Sequence, residues 1–277
     1  MSDIPVIAFG PRPDIYYIGL GMRYYAPGMP ASAQGTISKW PAIQIKWMSI
    51  DADGAFMARD AYSSRVEYDT RVTPDAISKL HATPAAEYIT FGPNKKNFCA
   101  IMSGGTWSSY LENENIKNLR VIEASVGGPD VFNRALDGIL FGKGSTMIFM
   151  FKNCFSYYTD HETENTAVEK LMDDYINRQP PWTIERGSAL CQWNVNYYFL
   201  KFRNTQTNAI MMHWNLPDAM AQQLADLKAS FATQESKQAI ANHQQQGMIQ
   251  ATNNFALAVH ANNAMRAVFF PSQYGYY

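Results

Sequence analysis

Five segments of this chain carry one strand, turn, strand signature, and that recurrence limits the fold more than any other feature. They are Ile7-Ala8-Phe9-Gly10-Pro11, Met48-Ser49-Ile50-Asp51-Ala52-Asp53-Gly54, Ile89-Thr90-Phe91-Gly92-Pro93-Asn94, Ile139-Leu140-Phe141-Gly142-Lys143-Gly144 and Ala189-Leu190-Cys191-Gln192-Trp193-Asn194. With Phe9, Ile50, Phe91, Phe141 and Leu190 as anchors, the intervals are 41, 41, 50 and 49 residues. A period of roughly 40 to 50 residues marks a repeat array, in which each unit buries its apolar surface only by stacking on its neighbours.

After four of the turns comes an aromatic, weakly alternating run: Ala55–Arg59, Asn97–Ile101, Ile148–Lys152 and Tyr197–Lys201. Runs of that kind suit strands covered on both faces. A third strand-like piece brings an aromatic to each full repeat, namely Tyr68, Trp107, Tyr157 and Trp214, and leads into a short helix. Thr73-Pro74-Asp75 and Leu216-Pro217-Asp218 place Pro where a helix loses no hydrogen bond and an acid where it complements the helix dipole. Asn115–Leu119 and Thr166–Met172 repeat the theme. Pro27, Pro30 and Pro41 interrupt the first repeat, and Trp40-Pro41 stands where its helix is due, so that repeat reads as an irregular terminal unit without a helix.

These features predict a mainly β fold: a five-bladed β-propeller-like array over residues 1–231 with a short helix per repeat. Closure of the first repeat on the last removes exposed edges. Residues 232–277 form a helical extension. Across 217–270, Met248, Phe255, Val259 and Phe269 follow a spacing near 3.6, with a break at Gly247. The extension is expected to pack on the body and is a candidate for self-association into a homo-oligomer.

Phe91-Gly92-Pro93-Asn94, the aromatic strand after it, Trp107 and Leu216-Pro217 resemble a group of largely fungal tandem repeats akin to tectonin-like and other lectin-type β-propellers. The resemblance spans roughly residues 4–231. It implies a propeller that recognises carbohydrate or protein, and it carries over no catalytic residue.

The 277 residues hold 23 Lys+Arg against 24 Asp+Glu, a net charge of -1, so no global field draws the protein to nucleic acid or anionic lipid. The first residues, Met1-Ser2-Asp3-Ile4-Pro5, lack the basic start of a secretory leader, and no run approaches the roughly 20 apolar residues of a membrane span. Cys99, Cys154 and Cys191 are odd in number and sit in apolar surroundings, and no Asn begins an Asn-x-Ser/Thr acceptor. The expectation is a cytoplasmic protein with three buried, reduced thiols.

Strong site motifs are missing. There is no Cys-x-x-Cys, His-x-x-x-His or Gly-x-Ser-x-Gly, and Gly142-Lys143-Gly144-Ser145-Thr146 lacks the glycine spacing of a phosphate loop. No metal or cofactor is expected. Six Trp and 16 Tyr are the positive signal, since amphipathic rings serve recognition surfaces. Tyr68, Trp107, Tyr157, Trp214 and the neighbouring His213 are therefore the candidate ligand-binding residues, although one aromatic per repeat serves first to pack neighbouring repeats. Arg59, Glu67, Lys152 and Lys201 are charges in apolar strands and candidates for lining a polar central channel. At matched positions Arg59, Ile101, Lys152 and Phe202 differ, which argues for a single site over a repeated one. The function read from the sequence is non-enzymatic recognition or scaffolding, with a glycan or a protein as partner. The alternative is an enzyme of the isomerase, cyclase or hydrolase type using one polar pocket in the channel.

Overall fold

The computed structural model describes residues 4–63, 65–159, 166–233 and 235. The chain divides into two compact units, Met1–Lys228 and Ala229–Tyr277. The fold is mainly β, and among the described residues every strand lies in the first unit. No helix among them is long and apolar enough to cross a membrane.

Five small antiparallel sheets follow one another along the chain. The first holds β1 (Val6–Phe9), β2 (Tyr16–Leu20) and β3 (Arg23–Tyr25); the second β4 (Ile45–Ile50), β5 (Phe56–Asp60) and β6 (Val66–Tyr68); the third β7 (Ala86–Phe91), β8 (Phe98–Met102) and β9 (Trp107–Tyr110). The fourth holds β10 (Leu136–Phe141), β11 (Met147–Phe151) and β12 (Phe155–Tyr158). In the fifth, β13 (Trp182–Ile184) and β14 (Ala189–Leu190) together pair one edge of β15 (Tyr198–Asn204), and β16 (Ile210–Asn215) pairs the other. Each anchor read from the sequence is the last residue of its sheet's first strand or, in the fifth, of β14.

The turn after each anchor is closed the same way five times. The backbone N–H of Gly10, Asp51, Gly92, Gly142 and Cys191 donates to the carbonyl of Ile15, Ala55, Asn97, Thr146 and Tyr197, at 2.8 to 3.1 Å. The chain doubles back so tightly that a Cβ on Gly10 would stand 2.5 Å from the Ile15 carbonyl oxygen, and one on Gly92 2.7 Å from Asn97 Cβ. Asp51 solves the same turn differently: its carboxylate accepts the N–H groups of Asp53 and Ala55, at 2.9 and 2.8 Å.

The middle strands β2, β8 and β11 are buried at every residue, as strands covered on both faces must be. First strands of successive sheets are neighbours, β1 with β4, β4 with β7 and β7 with β10, and β14 lies beside both β10 and β1. Side chains join them where no ladder runs. Ser49 Oγ accepts the Phe91 N–H at 3.1 Å, Thr90 Oγ1 donates to the Ile139 carbonyl at 2.5 Å, and Trp47 Nε1 donates to the Glu87 carbonyl at 2.9 Å.

Helices connect each third strand to the next first strand: α1 (Ala31–Ile37), α2 (Pro74–Leu80), α3 (Asn113–Ser125), α4 (Pro129–Ala135) and α5 (Ala167–Ile176), with a further helix, α6, over 218–233. Pro74 opens α2, and the Thr166 hydroxyl caps α5 by accepting the Glu169 N–H at 3.2 Å. The first repeat corrects its expectation. It does carry a helix, and Pro30 stands at the N-cap of α1, where its fixed φ and missing N–H start a helix. Pro41 follows α1 and opens a 3-10 turn, Ala42–Gln44. The third repeat holds a second helix, α4, which accounts for the longer interval to Phe141. Of the predicted C-terminal helix only α6 and residue 235 lie among the described residues; the break at Gly247 and the apolar positions beyond it fall outside them.

All three cysteines are free. Cys99 and Cys191 are buried, but Cys154 is exposed, because it sits in the short turn between β11 and β12 and not within a strand.

Candidate binding grooves

Strand register decides which residues are equivalent. In all five sheets the anchor pairs with the first residue of the second strand: Phe9 with Tyr16, Ile50 with Phe56, Phe91 with Phe98, Phe141 with Met147 and Leu190 with Tyr198. Three residues further on stand Gly19, Arg59, Ile101, Met150 and Lys201. The equivalence of Arg59 with Lys152 and Phe202 is therefore corrected. The turns differ in length by one or two residues, and counting along the chain slips the register. Arg59 and Lys201 occupy one position in the second and fifth sheets, where the other sheets carry uncharged residues.

The third-strand aromatics sort in the same way. Tyr68, Tyr157 and Trp214 lie opposite Met57, Ile148 and Phe199, one place along the second strand, whereas Trp107 lies opposite Ile101 and is displaced by two residues on the same face. Each meets its own neighbours. The Tyr68 hydroxyl lies 3.4 Å from His81 Nε2. Trp107 Nε1 donates to Asn133 Oδ1 at 2.9 Å, and the Tyr157 hydroxyl donates to Asp173. Trp214 is 38% exposed, with Lys228 Nζ 3.9 Å from its ring centre. His213, adjacent to Trp214, points to the other face of the sheet, where its Nε2 lies 2.7 Å from the Tyr175 hydroxyl. Burial and the nearby Arg178 lower its pKa, so the imidazole is neutral at pH 7. The five candidates are thus spread over four sheets and do not converge on one centre.

The space among the first strands and β14 is nearly filled. The cavity lined by Ala8, Ser49, Thr90, Leu140 and Ala189 has a volume of about 30 Å³, the space of a single water molecule. The charges expected in a central channel lie elsewhere. Glu67 pairs with Arg65, Lys152 Nζ donates to the Arg134 carbonyl at 2.8 Å, and Arg59 and Lys201 face grooves between sheets. A clamp formed by Arg186 ties three sheets together, with Asp137 at 2.6 Å, Glu87 at 3.3 Å and the Tyr88 ring at 5.6 Å.

Among the described residues three grooves are of ligand size; the one of about 440 Å³, lined by Pro93, Asn94, Glu112, Glu114, Asn115, Gly144 and Ser145, holds no aromatic ring and no basic side chain, and the other two hold the singled-out Arg59 and Lys201. The first, about 410 Å³, opens between the second and third sheets; Arg59, Tyr68, His81, Glu87 and Ser103 surround a floor of Val66 and Leu80. A phenol ring, a guanidinium, a carboxylate, an imidazole and a hydroxyl so meet on one small surface. Arg59 spends one N–H on the Ala86 carbonyl, at a long 3.4 Å. Sequence reasoning singled out Tyr68 and Arg59 separately and missed His81 and Glu87, which come from the α2 end and from β7.

The second groove, about 460 Å³, lies where the fifth sheet meets the first two, and Lys201 projects into it. Burial lowers the Lys201 pKa to about 8, against a smaller opposing effect of Glu185. In the unfolded chain the amine titrates near 10.4. Between about pH 8 and 10 the unfolded state holds a proton the fold has released, so this residue's contribution to stability rises with pH through that window. Below it the fold carries a desolvated ammonium. Lys201→Met is expected to stabilise the protein by about 1–2 kcal/mol at pH 7, solvent in the groove moderating the cost. That advantage should shrink towards pH 10. Urea unfolding of both proteins at the two pH values reads the effect, and a pH-independent difference refutes it.

Comparisons with protein-family models, with curated proteins and with solved structures find no match.

Proposed function

We propose that the unit Met1–Lys228 is a closed five-bladed β-propeller and acts as a non-enzymatic recognition protein, binding a glycan in the groove between its second and third sheets. The closed reading is supported by β14 standing beside both β10 and β1, and by the resemblance to tectonin-like repeats. A cytoplasmic setting is supported by three cysteines that form no disulfide.

The observation that carries the binding reading is the composition of that groove. At about 410 Å³ it falls within the roughly 300–1,000 Å³ of small-molecule sites. Its Tyr68 ring offers an apolar face for the C–H side of a sugar, and Arg59 and Glu87 offer charge-assisted hydrogen bonds to hydroxyls. The nearly filled space among the first strands disfavours the enzyme reading, since a substrate has no room there. A protein partner is the second reading, favoured by the exposed Ile210, Met211 and Trp214 on edge strand β16.

A glycan array separates the two. The protein is expected to retain one class of saccharide, and Arg59→Met to weaken that binding at least tenfold with an unchanged melting temperature. Retention of no glycan, or equal retention by Arg59→Met, overturns the assignment.

A further inference from the structure

We infer that the groove beneath Lys201 is a second binding site, taking a small organic anion in which a carboxylate caps an apolar body. The walls are apolar, built from Val6, Ala42, Ile43 and Ile45 of the first two sheets and the segments that join them. The only charged side chains lining the groove among the described residues are Lys46 and Lys201. No carboxylate of a described residue lines it.

Lys201 makes no side-chain hydrogen bond or ion pair among the described residues. Glu185, the nearest acid to it in electrostatic terms, is engaged by Arg203. Gly187 explains how the ammonium is held at the wall. Its φ is +81°, and a Cβ there would lie 2.8 Å from Lys201 Nζ and 3.5 Å from the Lys46 carbonyl oxygen. A larger residue would displace the amine from the groove.

The chemistry of the occupant follows from these walls. A cation with no acid partner among the described residues, at the edge of an apolar space, is a charge that an entering carboxylate satisfies while its body displaces water from the side chains. A bare phosphate or sulfate gains the charge contact but leaves the apolar wall wet. At about 460 Å³ the groove accommodates a bicyclic aromatic acid. The lowered basicity of Lys201 is the expected mark of an ammonium left without a partner. The register places this site at the same inter-sheet position as the Arg59 groove, but the two differ in kind. The Arg59 groove joins both charge signs with an aromatic face and suits a polyol; the Lys201 groove has one sign and apolar walls.

The test uses 2-naphthoate as probe and 2-naphthylmethanol as its neutral counterpart, with binding to the full chain at pH 7 read by calorimetry. Naphthoate is expected to bind saturably, at least tenfold tighter than the alcohol, and to weaken at least tenfold in Lys201→Met. Arg59→Met, which disables the other groove, should bind naphthoate as the unaltered protein does. On the unaltered protein, naphthoate should also slow reductive methylation of Lys201 relative to Lys228, read by peptide mass spectrometry. Equal affinity for acid and alcohol, unchanged binding in Lys201→Met, or no protection of Lys201 overturns the assignment.

Discussion

Trp47→Ala is expected to destabilise the protein by about 4–6 kcal/mol, enough to bring a domain of ordinary stability to the edge of unfolding. The indole is completely buried where the second sheet meets the third. It packs edge-on against Tyr88, with ring centres 5.5 Å apart and planes at 85°. Its Nε1 donates to the Glu87 carbonyl at 2.9 Å. Truncation removes a large buried ring, for which about 3–5 kcal/mol is typical, and strips a partly buried carbonyl of its donor, for about 1–2 kcal/mol more. The two losses share one relaxation and fall short of their sum. Trp47→Phe keeps most of the packing, and about 2–3 kcal/mol is expected for it. Equilibrium urea unfolding measures both variants. Because Glu87 also lines the Arg59 groove, Trp47→Phe should also weaken the glycan binding proposed for it. An Ala variant that loses less than about 2 kcal/mol would mean that the two sheets are joined by something other than this contact.

The repeat was legible because its turn is a steric device. In four of the five sheets an apolar residue ends the first strand, and the chain then reverses through a position where glycine, or an aspartate that caps its own turn, relieves the crowding. Those residues recur visibly as Phe9-Gly10, Ile50-Asp51, Phe91-Gly92 and Phe141-Gly142. Helices α2 and α6 were legible from Pro-Asp at their starts. The same signal stood at Pro129-Asp130 behind Gly127-Gly128, and α4 was recoverable from it. Helix α1 was hidden, since Ala31–Ile37 has no acid in its first turn and contains Gly35, so its prolines read as breaks. The grooves were hidden for another reason. Arg59 and Lys201 become equivalent only once each turn's length is known, and the partners of Tyr68 come from β7 and the end of α2, segments that pairing with a remote strand brings together. Periodicity along one strand reports what that strand buries, not what a neighbouring sheet sets against it.

Helix α4 supplies the other large effect. Phe132→Ala is expected to cost about 3–5 kcal/mol, the range for emptying a buried phenylalanine site. Phe132 is fully buried, with Trp107, Phe149 and Phe151 edge-on around it at 5.7, 6.0 and 5.6 Å. It therefore joins the third sheet to the middle strand of the fourth. The next residue, Asn133, accepts the Trp107 indole N–H at 2.9 Å, so the helix holds Trp107 both by a ring contact and by a hydrogen bond. If α4 acts as this wedge, the Ala variant loosens Trp107. Its unfolding midpoint in urea should drop and its tryptophan emission should shift to longer wavelength in the native state, whereas Phe132→Leu should cost only about 1–2 kcal/mol and leave the emission unchanged. Asn133→Ala should shift the emission with a loss of about 1 kcal/mol. If Phe132→Ala loses less than about 1 kcal/mol with no spectral change, α4 is an ornament on the third repeat, and the contact between the third and fourth sheets rests on the first strands, the Thr90 bridge to Ile139 and the Arg186 clamp.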